Sequence, residues 1–226
     1  MKMNNNIINQ IHEGLLLIKK PKGITSFDVI RKLRKELDIK KMGHSGTLDP
    51  MATGLLIIGI NEGTKKLKDL IGLDKIYEAE ITFGKSTDSY DLDGKILEEI
   101  KLNKKDINKI NENIDKILNE LTGELEIEVP IYSAIKRDGK KLYEYARSGK
   151  EVELPKKKMT IHYIKKINKI KKEDKYILNL ELKVSSGTYI RSIVNEINKK
   201  TGIPCVLSSL NRTQIGEYKL KDAIEL

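Results

Sequence analysis

Tryptophan is absent, phenylalanine occurs twice, and one cysteine, Cys205, stands alone. A lone cysteine allows no disulfide within the chain, so a disulfide-stapled secreted scaffold is excluded and a reducing, cytoplasmic setting is expected. Long apolar runs are missing too. Runs such as Leu55–Ile58 stop far short of the roughly 20 apolar residues that a membrane-spanning helix needs. The first residues hold Asn4, Asn5 and Asn6 where a secretory signal would carry its apolar stretch, so export is not expected. Only three histidines are present, His12, His44 and His162. With one cysteine beside them they offer no ligand cluster, and neither a metal nor another cofactor is expected. Flexible interdomain linkers and internal repeats are absent as well.

What is abundant is charge. Charged residues make up 34% of the 226 residues, hydrophobic ones 38%, and the formal net charge is +10. That balance fits a globular chain long enough to bury a core. The positive excess fits an anionic partner, nucleic acid first, or a general bias toward Lys, Asn and Ile. Residues 156–175 hold nine lysines against Glu173 and Asp174, as a phosphate-facing surface or a solvated face would.

Periodicity gives the elements. Leu15–Ile18 reads as a buried strand ended by Pro21 and Gly23. Thr25 and Asp28 have capping-box spacing, and Phe27, Ile30, Leu33 and Leu37 form the stripe of a helix. A strand covers Leu55 to Ile60. Tyr77, Ala79, Ile81 and Phe83 share one face of a strand over 75–83. Residues 84–94 are read as a loop. Ile107 to Leu121 mark a helix stopped by Gly123. Residues 128–155 are a long excursion with a short helix near Lys141–Arg147. Residues 159–170 and 175–184 form a basic hairpin with Leu178, Leu180, Leu182 and Val184 inward. Ile190, Ile193, Val194 and Ile197 make the last helix, ended by Gly202. The expected fold is α+β, one domain over 1–226, with a central mixed, largely antiparallel sheet flanked by helices.

The chemistry concentrates in Gly43-His44-Ser45-Gly46-Thr47-Leu48-Asp49-Pro50-Met51-Ala52-Thr53-Gly54, a polar loop between a helix and an apolar strand. A residue before proline is pushed out of the helical region, so Asp49 sits at a corner. There it either turns the backbone or presents a carboxylate to a cleft. Two other patterns fail. Asp88, Asp91, Asp93 and Gly94 lack the spacing of a calcium loop. Gly43, Gly46 and Gly54 are followed by no Gly-Lys-Ser/Thr of a phosphate loop.

The Gly43–Gly54 string resembles the catalytic motif of the TruB family of tRNA pseudouridine synthases. Six further segments fall in the family's order: Leu17–Gly23 with Lys20-Pro21, Lys75–Ala79, Val129–Lys136, Gly139–Arg147, Ser186–Ser192 and Leu210–Thr213. The resemblance covers roughly 14–216. It implies isomerisation of the T-loop uridine of tRNA with Asp49 as nucleophile. It further implies Arg191 as the cation that keeps the carboxylate charged, and Tyr77 stacked on the target base and helping to remove the C5 proton. His44 would fill the space left by the extruded base, Tyr189 would be a second aromatic, and Leu210 would line the uracil pocket. Each has an ordinary alternative: incidental loop histidine, packed aromatic, core leucine, surface helix charge. The base must leave its stack to be reached. Lys20, the RNA-clasping insertion of about 128–155 with Lys136, Lys140 and Lys141, and the hairpin lysines Lys156, Lys157 and Lys158 are the expected RNA contacts. A monomer without the family's common C-terminal PUA-type domain is expected. A non-catalytic RNA-binding module and a synthase working inside a ribonucleoprotein are the competing readings.

Overall fold

The computed structural model describes residues 7–172 and 175–226; the Asn4–Asn6 run, Glu173 and Asp174 lie outside the described residues. The chain divides into two compact units, Met1–Glu78 with Leu210–Leu226, and Ala79–Ser209.

The first unit contains strands β1 (Leu15–Lys20), β2 (Met42–His44) and β3 (Thr53–Ile60), helices α1 (Ser26–Leu37) and α2 (Leu67–Gly72), and the first residues of β4 (Lys75–Phe83). The closing residues of β12 (Cys205–Ile215), with β13 (Tyr218–Lys219) and β14 (Ile224–Glu225), complete it. Strand β1 lies antiparallel to β3, pairing Leu16 with Ile58 and Ile18 with Leu56. Strand β12 joins β3 in parallel, at Asn211↔Thr53 and Arg212↔Gly54, and β14 joins β1 in parallel. Leu56 and Ile58 pack with Leu16, Ile18 and the Val29, Ile30 and Leu33 side of α1. Leu55 and Ile57 pack with Leu15 and the Leu67 and Leu70 side of α2. Strand β3 is therefore covered on both faces, which is why it reads as an unbroken apolar run rather than an alternation.

Helix α1 starts at the expected capping box. The Thr25 hydroxyl accepts from the Asp28 amide at 3.0 Å and the Asp28 carboxylate accepts from the Thr25 amide at 2.8 Å. The stripe is corrected at one position. Phe27 is 51% exposed, and its place on the buried side is taken by Ser26, with Val29, Ile30 and Leu33. Ser26 turns inward because its hydroxyl bonds the backbone of Leu48, leaving Phe27 about 100° round the helix. The guanidiniums of Arg31 and Arg34 lie 5.6 and 5.8 Å from the Phe27 ring centroid.

The second unit holds the rest of β4, then β5 (Lys85–Thr87), β6 (Ile96–Glu99), α3 (Lys104–Glu120), β7 (Gly123–Glu128), β8 (Lys136–Arg137) and β9 (Lys140–Lys141). After α4 (Leu142–Arg147) come the long hairpin β10 (Lys156–Lys172) and β11 (Lys175–Val184), helix α5 (Ile190–Thr201) and the start of β12. Its sheet runs β12-β4-β11-β10-β7, with β10 antiparallel to both neighbours. The fold is α+β with a mixed, largely antiparallel sheet and flanking helices, as expected. The stretch read as a loop over 84–94 begins with β5, which pairs with β6 beyond it. Lys85-Ser86-Thr87 carries no apolar residue, so periodicity has nothing to register there. Helix α5 is more deeply enclosed than its apolar stripe implies: Arg191, Ser192 and Asn195 are buried along with Ile190, Ile193, Val194 and Ile197.

Candidate active site

The Gly43–Gly54 segment leaves along β2 and returns along β3, which pair at His44↔Ile58. Between them the loop is tied at nearly every residue. The Ser45 amide donates to the Ile57 carbonyl at 3.0 Å and the Ala52 amide to Asp49 at 3.0 Å. The Pro50 carbonyl accepts from the Gly23 amide at 2.8 Å. The Ser26 hydroxyl accepts from the Leu48 amide at 2.9 Å and donates to its carbonyl at 3.2 Å. One α1 side chain thus fixes both backbone groups of the residue before Asp49, which holds Asp49 at a half-buried corner.

Two buried cations support this loop. Arg212 is 1% exposed; its Nε donates to Leu55 O at 2.8 Å and its Nη2 to Gly46 O at 3.1 Å. Gly54 has φ +108°, and a Cβ there would collide with the Arg212 backbone, so only glycine lets β3 and β12 come this close. Lys20 is also 1% exposed. Its ammonium donates to the carbonyls of Ile24 at 2.7 Å, Pro21 at 2.9 Å and Pro50 at 3.4 Å. Burial pushes Lys20 down to about 8, opposed by the nearby Asp49 carboxylate and assisted by the Arg212 cation. Lys20, expected to touch RNA, instead forms the floor under the Asp49 loop. His44 is half-buried, and its Nδ1 accepts from the Gly46 amide at 3.3 Å. Burial and then the Arg212 charge lower its pKa, so a neutral imidazole with its proton on Nε2 is favoured.

Tyr77 and Leu210 belong to the same unit and are buried on β4 and β12. Arg191, Tyr189 and all six expected backbone-contacting lysines belong to the second unit. There Tyr189 is the N-cap of α5 and Arg191 lies in the helix's first turn, 4% exposed. The Arg191 guanidinium faces Asp91 at 3.6 Å, with both side chains buried. It also donates to the carbonyls of Ser89 at 3.2 Å and Tyr132 at 3.0 Å. The aspartates that suggested a calcium loop therefore serve another purpose. Asp91 pairs with Arg191, while Asp88 accepts from the Lys95 amide at 2.8 Å and the Tyr132 hydroxyl at 3.1 Å.

The lysines separate into two kinds. Lys136 and Lys140 are exposed on the small β8–β9 hairpin, with Lys141 half-exposed and 5.4 Å from the Tyr143 ring centroid. Lys156 and Lys158 stand across the ladder from Glu128 and Glu126. Lys157 points the other way, and its ammonium donates to Gly187 O at 3.1 Å. The run at 156–158 is thus no continuous cationic stripe: Lys156 and Lys158 stand opposite β7 glutamates, of which Glu128 pairs with Lys199 at 3.1 Å, and Lys157 tethers the turn before Tyr189.

A family model described as TruB family pseudouridylate synthase (N terminal domain) matches residues 34–190, well over half of the chain. The tRNA pseudouridine synthase B of Fusobacterium nucleatum is 45% identical over 213 residues, covering 92% of this chain and 70% of its own length. That of Lactobacillus gasseri is 41% identical over 219 residues, with 94% and 72% covered.

The chain belongs to the TruB family.

Solved structures agree on the fold. A Cbf5-Nop10-Gar1 complex matches with a TM-score of 0.68 at 25% identity over 97% of this chain and 54% of that one. A structure of an H/ACA RNP bound to a substrate RNA containing 2'-deoxyuridine matches with a TM-score of 0.67 at 23% identity. The chain spans about half the length of these two matched chains. Within this TruB-family chain, Arg212, Ser26 and Asp91 are among the buried polar groups to which the sequence motifs assign no role. Arg212 does leave a signal: it alternates with Leu210 on β12, a charge at an inward position of a strand.

Proposed function

We propose that the chain is an isomerase that converts the T-loop uridine at position 55 of tRNA to pseudouridine, with Asp49 as the nucleophile. Supporting this reading, Asp49 is a half-buried carboxylate at the corner of a loop tied by backbone bonds, above a buried lysine whose pKa it raises. A nucleophile needs such fixed presentation. The reaction breaks the bond from ribose C1′ to uracil N1 and forms one from C1′ to C5. The carboxylate adds either to C1′ or to the ring, the C1′–N1 bond breaks, the base turns, C5 bonds to C1′, the carboxylate is released, and the C5 proton leaves as N1 regains one. Nothing is oxidised or reduced, so the balance needs no co-reactant.

The family pattern gives Arg191 the counter-charge role, Tyr77 the stacking and C5-proton role, and Tyr189, Leu210 and His44 the walls around the flipped base. A neutral His44 suits that place, because it carries no charge into an emptied stack. Lys136, Lys140 and Lys141 are the proposed phosphate contacts. Folded RNA is read through backbone and exposed loops, which an exposed basic hairpin can reach. The enzyme is proposed to work as a cytoplasmic monomer, with sedimentation of the enzyme alone and on tRNA as the check of its state.

The test is Asp49→Asn. The amide is nearly isosteric and removes a negative charge from an RNA-binding surface. Binding of unmodified tRNA should stay within about threefold of wild type, under ~0.7 kcal/mol, while pseudouridine formation falls below detection. Turnover near the wild-type rate would remove Asp49 from the nucleophile's role. A wild type that binds tRNA and makes no pseudouridine would favour the binding-module reading.

A further inference from the structure

Arg191 is held by carbonyls from two segments that sequence places far apart. One is the Asp-rich turn, through Ser89 O; the other is the 128–155 excursion, through Tyr132 O. A third bond joins those two segments to each other: the Tyr132 hydroxyl donates to Asp88 Oδ2 at 3.1 Å. Asp88 is the chain neighbour of Ser89. Arg191, Tyr132, Asp88 and Ser89 therefore close a ring of interactions, with one guanidinium nitrogen at each end.

We propose that Tyr132 is a positioning residue for Arg191: its carbonyl receives one guanidinium nitrogen, and its hydroxyl locks that carbonyl to the turn that receives the other. A guanidinium has its donors in a fixed planar fork, so its orientation depends on the spacing of its acceptors. Two carbonyls on separate segments keep that spacing only if the segments are fastened together. The phenol supplies the fastening. Burial and the Asp88 carboxylate both raise the Tyr132 pKa, so the hydroxyl keeps its proton and remains a donor at neutral pH.

The remaining bonds show what the fastening resists. The Ser133 carbonyl accepts from the Tyr143 amide at 3.2 Å and the Ile135 carbonyl from the Leu142 amide at 2.8 Å, so Tyr132 lies directly upstream of the anchorage of α4. Helix α4 and the β8–β9 hairpin carry exposed cations at Lys136, Lys140 and Arg147. A load on that surface from bound RNA reaches Arg191 through residues 132–135 unless Tyr132 is pinned. On the other side Asp91, two residues beyond Ser89, adds a buried carboxylate 3.6 Å from the guanidinium.

The inference rests on the catalytic part proposed for Arg191, and the experiment separates the two. Single-turnover pseudouridine formation at saturating enzyme, tRNA dissociation constant and melting temperature are measured for wild type, Tyr132→Phe, Asp88→Ala and the double variant. Each single variant should lose about tenfold in rate with a dissociation constant within about twofold of wild type. Such a split belongs to a group acting on the reaction rather than on binding. The double variant should be no slower than the slower single, because both remove the same bond. Tyr132→Phe at the wild-type rate, a loss carried by the dissociation constant, or multiplied losses in the double would each overturn the proposal. Should Asp88→Ala melt early, Tyr132→Phe, which deletes one oxygen, decides alone. An activity-free readout is the set of Arg191 Nη–H proton resonances at low temperature, slow to exchange in wild type and faster in Tyr132→Phe. That change without any wild-type turnover would support the positioning and sink the functional reading; an unchanged exchange rate would sink the positioning itself.

Discussion

The guanidinium of Arg212 reaches the Gly46 carbonyl at one end of the Asp49 loop and, at 2.8 Å, the Leu55 carbonyl at the other. A single buried side chain thus spans the loop from below. Arg212→Lys keeps the charge and loses the fork, so one of the two carbonyls is left without its donor. A buried unpaired acceptor costs about 1–3 kcal/mol. Chemical denaturation should show a loss of that size, and single-turnover rate should fall by about tenfold as the loop loosens. Full stability and full rate together would mean that Arg212 merely fills space.

How much of this is legible in the residues depends on what signals it. The elements with clean periodicity are readable: β4 from Tyr77, Ala79, Ile81 and Phe83, and α3 from its isoleucine spacing. Asp49 stands out because Asp-Pro within a glycine-bearing loop is conspicuous, and the family resemblance supplies its role. Lys20 misleads because a lysine in a basic chain looks solvent-facing; only three converging carbonyls make a buried ammonium tolerable, and those come from residues 21, 24 and 50. Phe27 misleads because apolar identity hides the hydrogen bonds that turn Ser26 inward. The Asp88–Asp93 stretch gives no usable pattern, since its partners Tyr132 and Arg191 lie about 40 and 100 positions further along the chain, a separation that no local periodicity reports.

Arg191→Lys should be far more damaging than an exposed Arg→Lys change such as Arg31→Lys. A lysine cannot address Asp91, Ser89 O and Tyr132 O in the guanidinium's geometry. Single-turnover rate at saturating enzyme should drop by at least about tenfold, ~1.4 kcal/mol, while Arg31→Lys stays near wild type. A rate within about threefold, ~0.7 kcal/mol, would remove Arg191 from the reaction.

The lysines at 156–158 should not behave as one phosphate-binding run. Lys156→Ala with Lys158→Ala removes charges that share a strand face with Glu126 and with the Glu128–Lys199 pair, so the local field there is already mixed in sign. The slope of log affinity against log salt for tRNA should therefore change by well under the roughly 0.7–0.9 that each phosphate neutralised by a lysine contributes. Lys136→Ala with Lys140→Ala, on the exposed hairpin, should flatten it by about that amount per residue. A flattened slope in the first pair and none in the second would reverse the assignment. Lys157→Ala should leave the slope alone and lower the rate, since its ammonium tethers the Gly187 turn that precedes Tyr189.

The buried ammonium of Lys20 gives a pH dependence whose sign follows from the direction of its shift. Its folded pKa, about 8, lies below the ordinary 10.5. Between those values the unfolded chain holds the proton that the folded chain has released. Stability then rises with pH across that window, by up to about 1.4 kcal/mol per pH unit for one proton. Below about 8 both states are protonated and the slope vanishes. Lys20→Met abolishes this contribution. It also removes the ammonium donor from the Pro21 and Ile24 carbonyls, while the Pro50 carbonyl keeps the Gly23 amide, and this loss lowers stability by a constant offset and not by a slope. Lys75, likewise lowered to about 8 by burial, is present in both proteins and cancels in the comparison. Urea midpoints measured from about pH 7 to 10.5 should rise more steeply for wild type than for Lys20→Met above pH 8. Parallel curves would show that Lys20 titrates as an ordinary exposed lysine. Asp49→Asn supplies the second half of the argument. The Asp49 carboxylate raises the Lys20 pKa, so its removal should lower that pKa further and move the onset of the rise below pH 8. A shift of the onset in the other direction, or none, would show that the Asp49 carboxylate does not raise the pKa of the buried ammonium beneath its loop.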